Sequence, residues 1–155
     1  MKNVQRPLTV LILLLTGSFS LTAQTEADPE AVRQAILHYV DALYEADTAQ
    51  VYAGVHPALA KRGFWRPEDS RSYEDMSPMS FEQLVALSGK WNARGWLPAD
   101  APKEIVIFEV QDKTATAKLT AEWGTDYFHL AKFDDAWKIV NVLWQSPPPA
   151  SRATN

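Results

Sequence analysis

Three residues able to move protons lie close together late in the chain: Asp126, Tyr127 and His129. A carboxylate or an imidazole can act as a general base, and a tyrosine hydroxyl can donate a hydrogen bond to a developing oxyanion. Side chains alternate between the two faces of a strand, so Tyr127 and His129 share a face. Asp126 falls on the other face unless a bulge at residues 124–125 changes the alternation. The spacing therefore predicts a candidate acid–base set whose members do not all face one way.

An ordinary structural role is the alternative for each of these residues. Asp126 is then a solvated residue at the start of a strand, and His129 is a hydrogen-bonded core histidine. His56 precedes Pro57, where an imidazole can bond the last carbonyls of a helix and interact with its dipole. Helix capping is the role that we expect for His56.

Aromatic and basic residues supply a second set of candidates, for ligand binding. Lys61, Arg62 and Arg66 stand near Trp65, and together they could hold an anionic or heteroaromatic ligand by charge and stacking. Solvated surface charges are the alternative. The predicted ligand-pocket residues are Tyr44, His56, Arg62, Phe64, Trp65, Tyr73, Trp91, Tyr127 and His129.

Signatures of metal and cofactor chemistry are missing from the sequence. It has no cysteine, which excludes thiolate metal sites, cysteine nucleophiles and disulfides. The three histidines, at 38, 56 and 129, do not have the short spacing of a zinc site. A glycine-rich phosphate loop and a Gly-x-Ser-x-Gly elbow are also missing. We predict no metal and no cofactor.

The N-terminus reads as an export signal. Lys2 and Arg6 precede an apolar run over residues 8–15, and small and polar residues follow it. A membrane span needs roughly 20 apolar residues, so this run is too short. We predict a signal peptide over residues 1–23, cleaved near Ala23 or Gln24, and a secreted or periplasmic protein without stable membrane insertion.

The charge balance argues against nucleic acid as a partner. Leaving out Lys2 and Arg6, 13 of the 15 basic residues stand against 19 acidic ones, a formal net charge of about −6. Without a basic run there is no source for the phosphate contacts that dominate nucleic-acid affinity. At 155 residues and 46% hydrophobic, the chain has room for one core, and we predict a single domain over residues 28–145.

Helical patterns occupy the first two thirds of this domain. Asp28 starts an amphipathic helix that ends near Ala46, with a stripe listed as Val32, Ile36, Tyr39, Val40 and Leu43. Asp47 is expected to cap a second, short helix. Residues 61–76 have the composition of an irregular hairpin or loop. Ser80 and Gln83 have capping-box spacing for a third helix, from Phe81 to about Trp91.

Strand patterns fill the last third. The runs 104–111, 114–123, 126–133 and 137–144 predict an antiparallel meander with a turn at residues 134–135. The first run is apolar on both faces and should be covered on both sides. The second alternates strictly, which predicts one buried face. Residues 146–155 contain three consecutive prolines and are expected to form a disordered tail.

Three segments carry a resemblance to a known family: VHPALAKRGFWR, SPMSFEQLVALSGKWN and KTATAKLTAEWGTDYFHLAKFDDAWKIVNVLWQ. They resemble the putative lumazine-binding proteins of the nuclear transport factor 2-like (NTF2-like) superfamily, which includes ketosteroid isomerases and polyketide cyclases. The resemblance implies an α+β fold of the cystatin-like type, a curved antiparallel sheet with N-terminal helices on its concave face. It also implies a cone-shaped, aromatic-lined pocket.

The resemblance leaves three functions open. The first is an exported protein that binds a lumazine-like or other amphipathic small molecule. The second is a cofactor-independent isomerase, dehydratase or cyclase, with His129 or Asp126 as base and Tyr127 or Tyr44 as hydrogen-bond donor. The third is a dimerisation module that uses the outer face of the sheet. By parity Trp137 and Trp144 lie on opposite faces, which would leave one tryptophan for a partner.

Overall fold

The computed structural model describes residues 27–149; the predicted signal peptide and residues 150–155 of the predicted tail lie outside this range. The described chain forms three helices and six strands, whose bounds are α1 (Ala27–Tyr44), α2 (Thr48–Gly54), β1 (Val55–Phe64), β2 (Ser77–Met79), α3 (Phe81–Trp91), β3 (Lys103–Val110), β4 (Thr114–Ala121), β5 (Gly124–Phe133) and β6 (Ala136–Gln145).

Helices α2 and α3 begin where the capping residues predict, whereas Asp28 lies inside α1 and its carboxylate accepts from Lys132 Nζ and Trp137 Nε1. Asp47 caps α2, its side chain accepting a hydrogen bond from the Ala49 amide at 2.9 Å. Ser80 and Gln83 form the predicted capping box of α3, with reciprocal bonds of 3.2 and 2.7 Å. All five residues of the apolar stripe of α1 are buried, so this helix lies on the core as predicted. None of the described helices combines the length and apolarity that crossing a bilayer requires.

The six strands form one curved sheet in the order β2-β1-β6-β5-β4-β3. All neighbouring pairs are antiparallel except β1 and β6, which are parallel. The antiparallel meander predicted for the last four strands is confirmed, whereas the parallel pair of β1 and β6 was not predicted. Residues 55–64 form a strand of ten residues where a helix end and an irregular hairpin or loop were expected, and its end pairs with β2 as a hairpin would. That strand returns beside the last strand of the chain, and the irregular segment shrinks to residues 65–76.

The inner face of β4 and β5 is set by direct pairing. Leu119 lies opposite Asp126 and Ala117 opposite Phe128. Residues that face each other across an antiparallel pair project to the same side of the sheet. The four alternating residues of β4 predicted to be buried, Ala115, Ala117, Leu119 and Ala121, are buried. Asp126 and Phe128 therefore point into the core with them.

A β-bulge in β6 changes the alternation of its side chains. His129 pairs with Asn141 and Leu130 with Ile139, which leaves Val140 as an extra residue between two pairs. Trp137, before the bulge, is 4% exposed, and Trp144, after it, is packed against the same core. The prediction that these two tryptophans lie on opposite faces is wrong because a bulge shifts parity by one residue.

The edges of the domain differ from expectation at two places. Strand β3 is at the edge of the sheet, and Val106 and Phe108 are 46% and 58% exposed, so the strand is not covered on both sides. Ser146, expected to begin the disordered tail, is buried. Its amide donates to Phe64 O and its hydroxyl accepts from the Arg66 amide, both at 3.0 Å. These bonds attach the end of β6 to the end of β1.

Candidate functional site

A cavity of about 90 Å³ lies between the inner face of the sheet and helices α1 and α3. It is lined by Tyr39, Leu43, Lys61, Met79, Leu84, Leu87, Trp91, Trp123 and Trp144. Met79, Leu87, Trp91 and Trp144 are half-buried, so solvent reaches the cavity from their side. Seven of the nine lining side chains are apolar or indole, which makes the surface that of an apolar ligand site.

The buried end of the cavity is polar. Lys61 Nζ donates to the Tyr39 hydroxyl oxygen at 2.9 Å, and that hydroxyl donates to Asp126 Oδ1 at 3.3 Å. Lys61 Nζ also lies 3.5 Å from Oδ1 as an ion pair, and Trp123 Nε1 donates to Oδ2 at 2.6 Å. Lys61 and Tyr39 reach the cavity surface, whereas Asp126 lies behind them. We call Lys61, Tyr39 and Asp126 the polar cluster.

Burial is the largest influence on the pKa of each member of this polar cluster. It raises the pKa of Asp126, although the Lys61 charge and three hydrogen bonds oppose the change. It lowers the pKa of Lys61 against the attraction of Asp126. Burial and the nearby carboxylate together hold the pKa of Tyr39 well above its ordinary value. Both members of the ion pair are thus shifted toward their neutral forms, a pattern that is frequent at functional sites.

Trp144 reaches the cavity because β1 carries a glycine opposite it. Gly63 pairs with Trp144, and a Cβ atom built on Gly63 would collide with the indole ring. Lys61 Nζ lies 5.1 Å from the centroid of this ring and 5.5 Å from that of Tyr39. The faces of both rings therefore offer the ammonium group cation–π stabilisation in a site with little water.

A cluster of three aromatic rings forms one wall of the cavity. Tyr44 stacks on Trp91, with ring centroids 5.7 Å apart and planes 8° from parallel. Trp123 meets both rings edge-on, at 5.6 and 5.4 Å. Tyr44 also donates to Pro102 O at 2.7 Å and accepts from the Glu122 amide at 2.8 Å. Of the predicted pocket residues, Trp91 lines the cavity and Tyr44 supports it from behind.

The predicted acid–base set is divided between the two faces of the sheet. Asp126 is 0% exposed inside, so the alternative of a solvated strand-start residue is wrong. Tyr127 and His129 are exposed on the outer face, away from the cavity. The predicted alternation holds, but the assignment of faces was inverted, because the residue opposite the buried Leu119 is Asp126.

The predicted cluster around Trp65 is divided in the same way. Lys61 points inward, whereas Arg62 is exposed on the other face of β1. Arg66 bonds the backbone oxygens of Pro67, Glu68, Ser70 and Pro147 and so serves to fasten the loop after β1. The remaining predicted pocket residues do not line the cavity and are partly exposed, namely Phe64 (38%), Trp65 (50%) and Tyr73 (36%).

His56 has a different role from the helix cap that was expected. It lies in β1, with its ring stacked on Phe133 at a centroid distance of 4.3 Å. The last carbonyls of α2 are bonded instead by Lys138, whose Nζ donates to Tyr52 O at 3.1 Å and also to Ala53 O. Because a strand follows α2 directly, the imidazole is carried away from the helix end.

Sequence reasoning did not place Tyr39, Trp123 or Trp144 in the site. Tyr39 reads as part of a core stripe, and Lys61 was a candidate ligand-binding residue whose alternative was a solvated surface charge. One signal was present in the sequence. If residues 59–63 are extended, Leu59, Lys61 and Gly63 share one face of the strand, and the apolar Leu59 indicates that this face is buried. Among residues 27–149, no three His, Asp or Glu side chains are grouped closely enough to hold a metal ion.

The chain is similar to one family and to several solved structures. The family model described as "Putative lumazine-binding" matches residues 27–145. An NTF2-like protein of unknown function from Shewanella baltica OS155 is 15% identical, with a TM-score of 0.59 over 79% of this chain and 95% of that chain. One from Methylobacillus flagellatus KT is 18% identical, with a TM-score of 0.56 over 79% and 94%.

A third similar structure is a domain of unknown function with a cystatin-like fold from Nostoc punctiforme PCC 73102. It is 13% identical, with a TM-score of 0.58 over 79% of each chain. At these identities the likeness establishes a common fold. No curated protein matches the chain.

Proposed function

Because the chain belongs to the putative lumazine-binding family of NTF2-like fold, we propose that it is an exported small-molecule-binding protein whose ligand occupies the cavity beside Lys61. The observation that carries the proposal is a buried ammonium group at the end of an otherwise apolar cavity. Such a site suits an amphipathic ligand. Its apolar body contacts the indole rings, and one acceptor atom receives a hydrogen bond from Lys61.

The size of the cavity restricts the ligand. Sites for drug-sized molecules measure about 300 to 1,000 Å³, and a single water takes up about 30 Å³ of liquid. A cavity of about 90 Å³ holds only a small molecule or part of a larger one. A bicyclic lumazine therefore enters only if half-buried side chains at the opening, such as Met79 and Trp144, move outward. Ligands smaller than a lumazine fit without that movement.

Binding is tested with titrations of tryptophan fluorescence and thermal shift over pterins, flavins, steroid-like compounds and small acceptor-bearing aromatics. A ligand that binds the folded state raises the melting temperature. Lys61→Met should weaken binding roughly 10- to 100-fold, the value of a hydrogen bond from a charged group. Arg62→Met is the matched control, since Arg62 is the next residue on the strand and faces outward. Equal losses in both variants, or no binder at all, would count against the site.

Export is the second part of the proposal. Its support is the sequence pattern of residues 1–23, a basic start followed by a short apolar run and small residues. Expression in a Gram-negative host should yield a periplasmic or secreted protein whose N-terminus, read by mass spectrometry, begins near Gln24 or Thr25. A full-length chain retained in the cytoplasm would contradict it.

An enzyme is a second candidate function, favoured by the position of Asp126. Of the three predicted acid–base residues, only Asp126 is buried beside the cavity, and it reaches the cavity through Tyr39 and Lys61. A carboxyl with a raised pKa suits proton transfer in an isomerase or dehydratase. Activity that survives Asp126→Asn would contradict the hypothesis that Asp126 is the general base. Activity lost in His129→Ala would instead indicate an active site on the outer face of the sheet.

Dimerisation through the outer face of the sheet is a third candidate. Paired residues place Val106, Lys118, Tyr127, Leu143 and Arg62 in one row across this face. Val106, Tyr127 and Leu143 are each between 45% and 49% exposed. Three exposed apolar side chains in one row, with Lys118 and Arg62 as its charged members, suit contact with a second, similar sheet. Light scattering over a dilution series measures the mass of the particle in solution.

A further inference from the structure

Lys61 differs from every other lysine in the described part of the chain, because its side chain alone is buried. It is also in contact with a cavity and with two groups that can carry a proton. A buried amine next to a proton acceptor is the arrangement from which lysines react with carbonyl compounds. The binding function proposed above uses Lys61 only as a hydrogen-bond donor and leaves this chemistry unused.

We propose that Lys61 binds the carbonyl group of a small aldehyde or ketone covalently, as a protonated imine, within the cavity. This inference rests on the proposed function, since it uses the same cavity, and it defines the chemical class of the ligand. The carbonyl carbon is held at Nζ, and its apolar substituent lies among the indole rings. A volume of about 90 Å³ admits a short alkyl substituent without movement of the walls.

The amine must first lose a proton, and the polar cluster supplies the route. The ammonium of Lys61 donates to the Tyr39 oxygen at 2.9 Å, and the Tyr39 hydroxyl donates to Asp126 at 3.3 Å. A proton can therefore pass from Nζ to the carboxylate through the phenol. The burial that lowers the pKa of Lys61 and raises that of Asp126 favours this transfer.

The reaction balances without any further reactant. Neutral Nζ attacks the carbonyl carbon, a C–N bond forms, the C–O π bond opens, and the oxygen takes one proton from the nitrogen to give a carbinolamine. Asp126 then returns its proton to the hydroxyl group, the C–O bond breaks, and water leaves. The nitrogen lone pair forms the C=N bond of an iminium ion that retains one N–H. The net change is an ammonium and a carbonyl becoming an iminium and water.

The site suits the product as well as the reactants. The iminium keeps the positive charge of Lys61, so Asp126 keeps a counterion. The carboxylate also keeps its bonds from Trp123 at 2.6 Å and from Tyr39, so it does not depend on the longer 3.5 Å contact with Nζ. The rings of Trp144 and Tyr39 face the cation at 5.1 and 5.5 Å.

The test is reductive trapping of the full chain with butanal and cyanoborohydride near neutral pH, followed by peptide mapping over time. The rates for lysines within one molecule are compared, so no variant is needed. Lys61 should be alkylated faster than the exposed Lys90 and Lys113, because Tyr39 and Asp126 are placed to take up its proton and burial lowers its pKa. Alkylation of Lys61 at or below the rate of those two lysines overturns the inference.

Two further experiments distinguish failure of this inference from failure of the proposed function and test the proton route. Butan-1-ol has the same chain and cannot form an imine. If it binds the cavity while butanal leaves Lys61 unmodified, the imine inference fails and the binding function stands. If Lys61 is alkylated and the alcohol does not bind, the imine inference stands and the cavity holds such small molecules only through the covalent bond. Asp126→Asn should slow the alkylation of Lys61 even though it removes a charge that holds the ammonium proton, because an amide can neither take up that proton nor return one to the carbinolamine hydroxyl. The exposed Glu122→Gln should leave the rate unchanged. An unchanged rate in folded Asp126→Asn refutes the proton route.

Discussion

Two opposing contributions determine whether the buried ion pair of Lys61 and Asp126 stabilises the fold. Two charges taken out of water are costly, and their attraction offsets this only when the remaining hydrogen bonds are satisfied. Here Trp123 and Tyr39 satisfy the carboxylate, and no buried side-chain nitrogen or oxygen in the described residues lacks a partner. Removal of one charge should therefore lower the free energy of unfolding by more than the small number of contacts suggests.

Lys61→Met should destabilise the fold in a pH-dependent way. The variant leaves Asp126 buried without its cation, which costs about 3 to 5 kcal/mol near neutral pH. A carboxyl whose pKa is raised by folding stabilises the protein at low pH, and this contribution is lost as the pH rises through the raised pKa. The loss in urea midpoint should therefore shrink as the pH is lowered. A loss independent of pH, or an equal loss in Arg62→Met, would contradict this.

Gly63→Ala should move Trp144 away from the cavity. The added methyl group collides with the indole ring, and such overpacking costs about 1 to 3 kcal/mol. We expect a lower melting temperature, a shift in tryptophan emission and weaker ligand binding. Gly89→Ala is the control, because its methyl group would meet only the Thr48 methyl at 3.0 Å, in a helix where alanine is favoured. Trp144 emission unchanged in Gly63→Ala would show that the indole adapts in place.

At the scale of the elements, features that depend on neighbouring residues were predicted, and features that depend on distant strands were not. The predicted caps of α2 and α3 were confirmed because a cap depends on residues two or three apart in sequence. Strand β1 was missed because its main partner is β6, about eighty residues away, and parallel pairing has no turn to signal it. The bulge at Val140 was missed for a related reason, since a bulge is a property of two strands together.

Lys138→Ala should weaken the end of α2. The ammonium bonds two terminal carbonyls of the helix and lies at the negative end of its dipole. Its loss should cost about 1 kcal/mol, from the combined values of such bonds and dipole contacts. The measurement is the urea midpoint, and hydrogen exchange of α2 amides should rise. The exposed Lys113→Ala serves as the control, and equal effects in both variants would argue against the cap.

The architecture of the molecule was far more accessible from sequence than the site. Helix periodicity and strand alternation predicted most of the helices and strands and the buried face of β4, because burial imposes these patterns on every residue of an element. The family resemblance then implied their α+β arrangement. The composition of the site depends on which face of β5 is buried and on one bulge in β6. Residue type alone therefore predicted the wrong set of pocket residues. Tyr127 and His129 were candidates for proton transfer but lie on the outer face of the sheet. Of the basic candidates Lys61, Arg62 and Arg66, only Lys61 is buried.

At the scale of the assembly, the row of side chains on the outer face of the sheet, from Val106 to Arg62, predicts how an added charge would change the oligomeric state. If copies pair through this face, Tyr127→Lys or Leu143→Lys places like charges against each other and should convert dimers to monomers in light scattering. Trp96→Lys removes a similarly exposed apolar side chain, 53% exposed, that lies outside the row and should leave the mass unchanged. A parent protein that is monomeric at high concentration would contradict the dimer.

The extra residue at Val140 also bears on how relatives are compared. If a relative has one residue fewer between the positions of Ile139 and Val142, every later side chain in that strand changes sides, and an indole at the position of Trp144 is left in solvent. The number of residues in this strand therefore distinguishes relatives in which an indole lines the cavity from relatives in which it does not. An alignment that closes the gap elsewhere would hide the distinction.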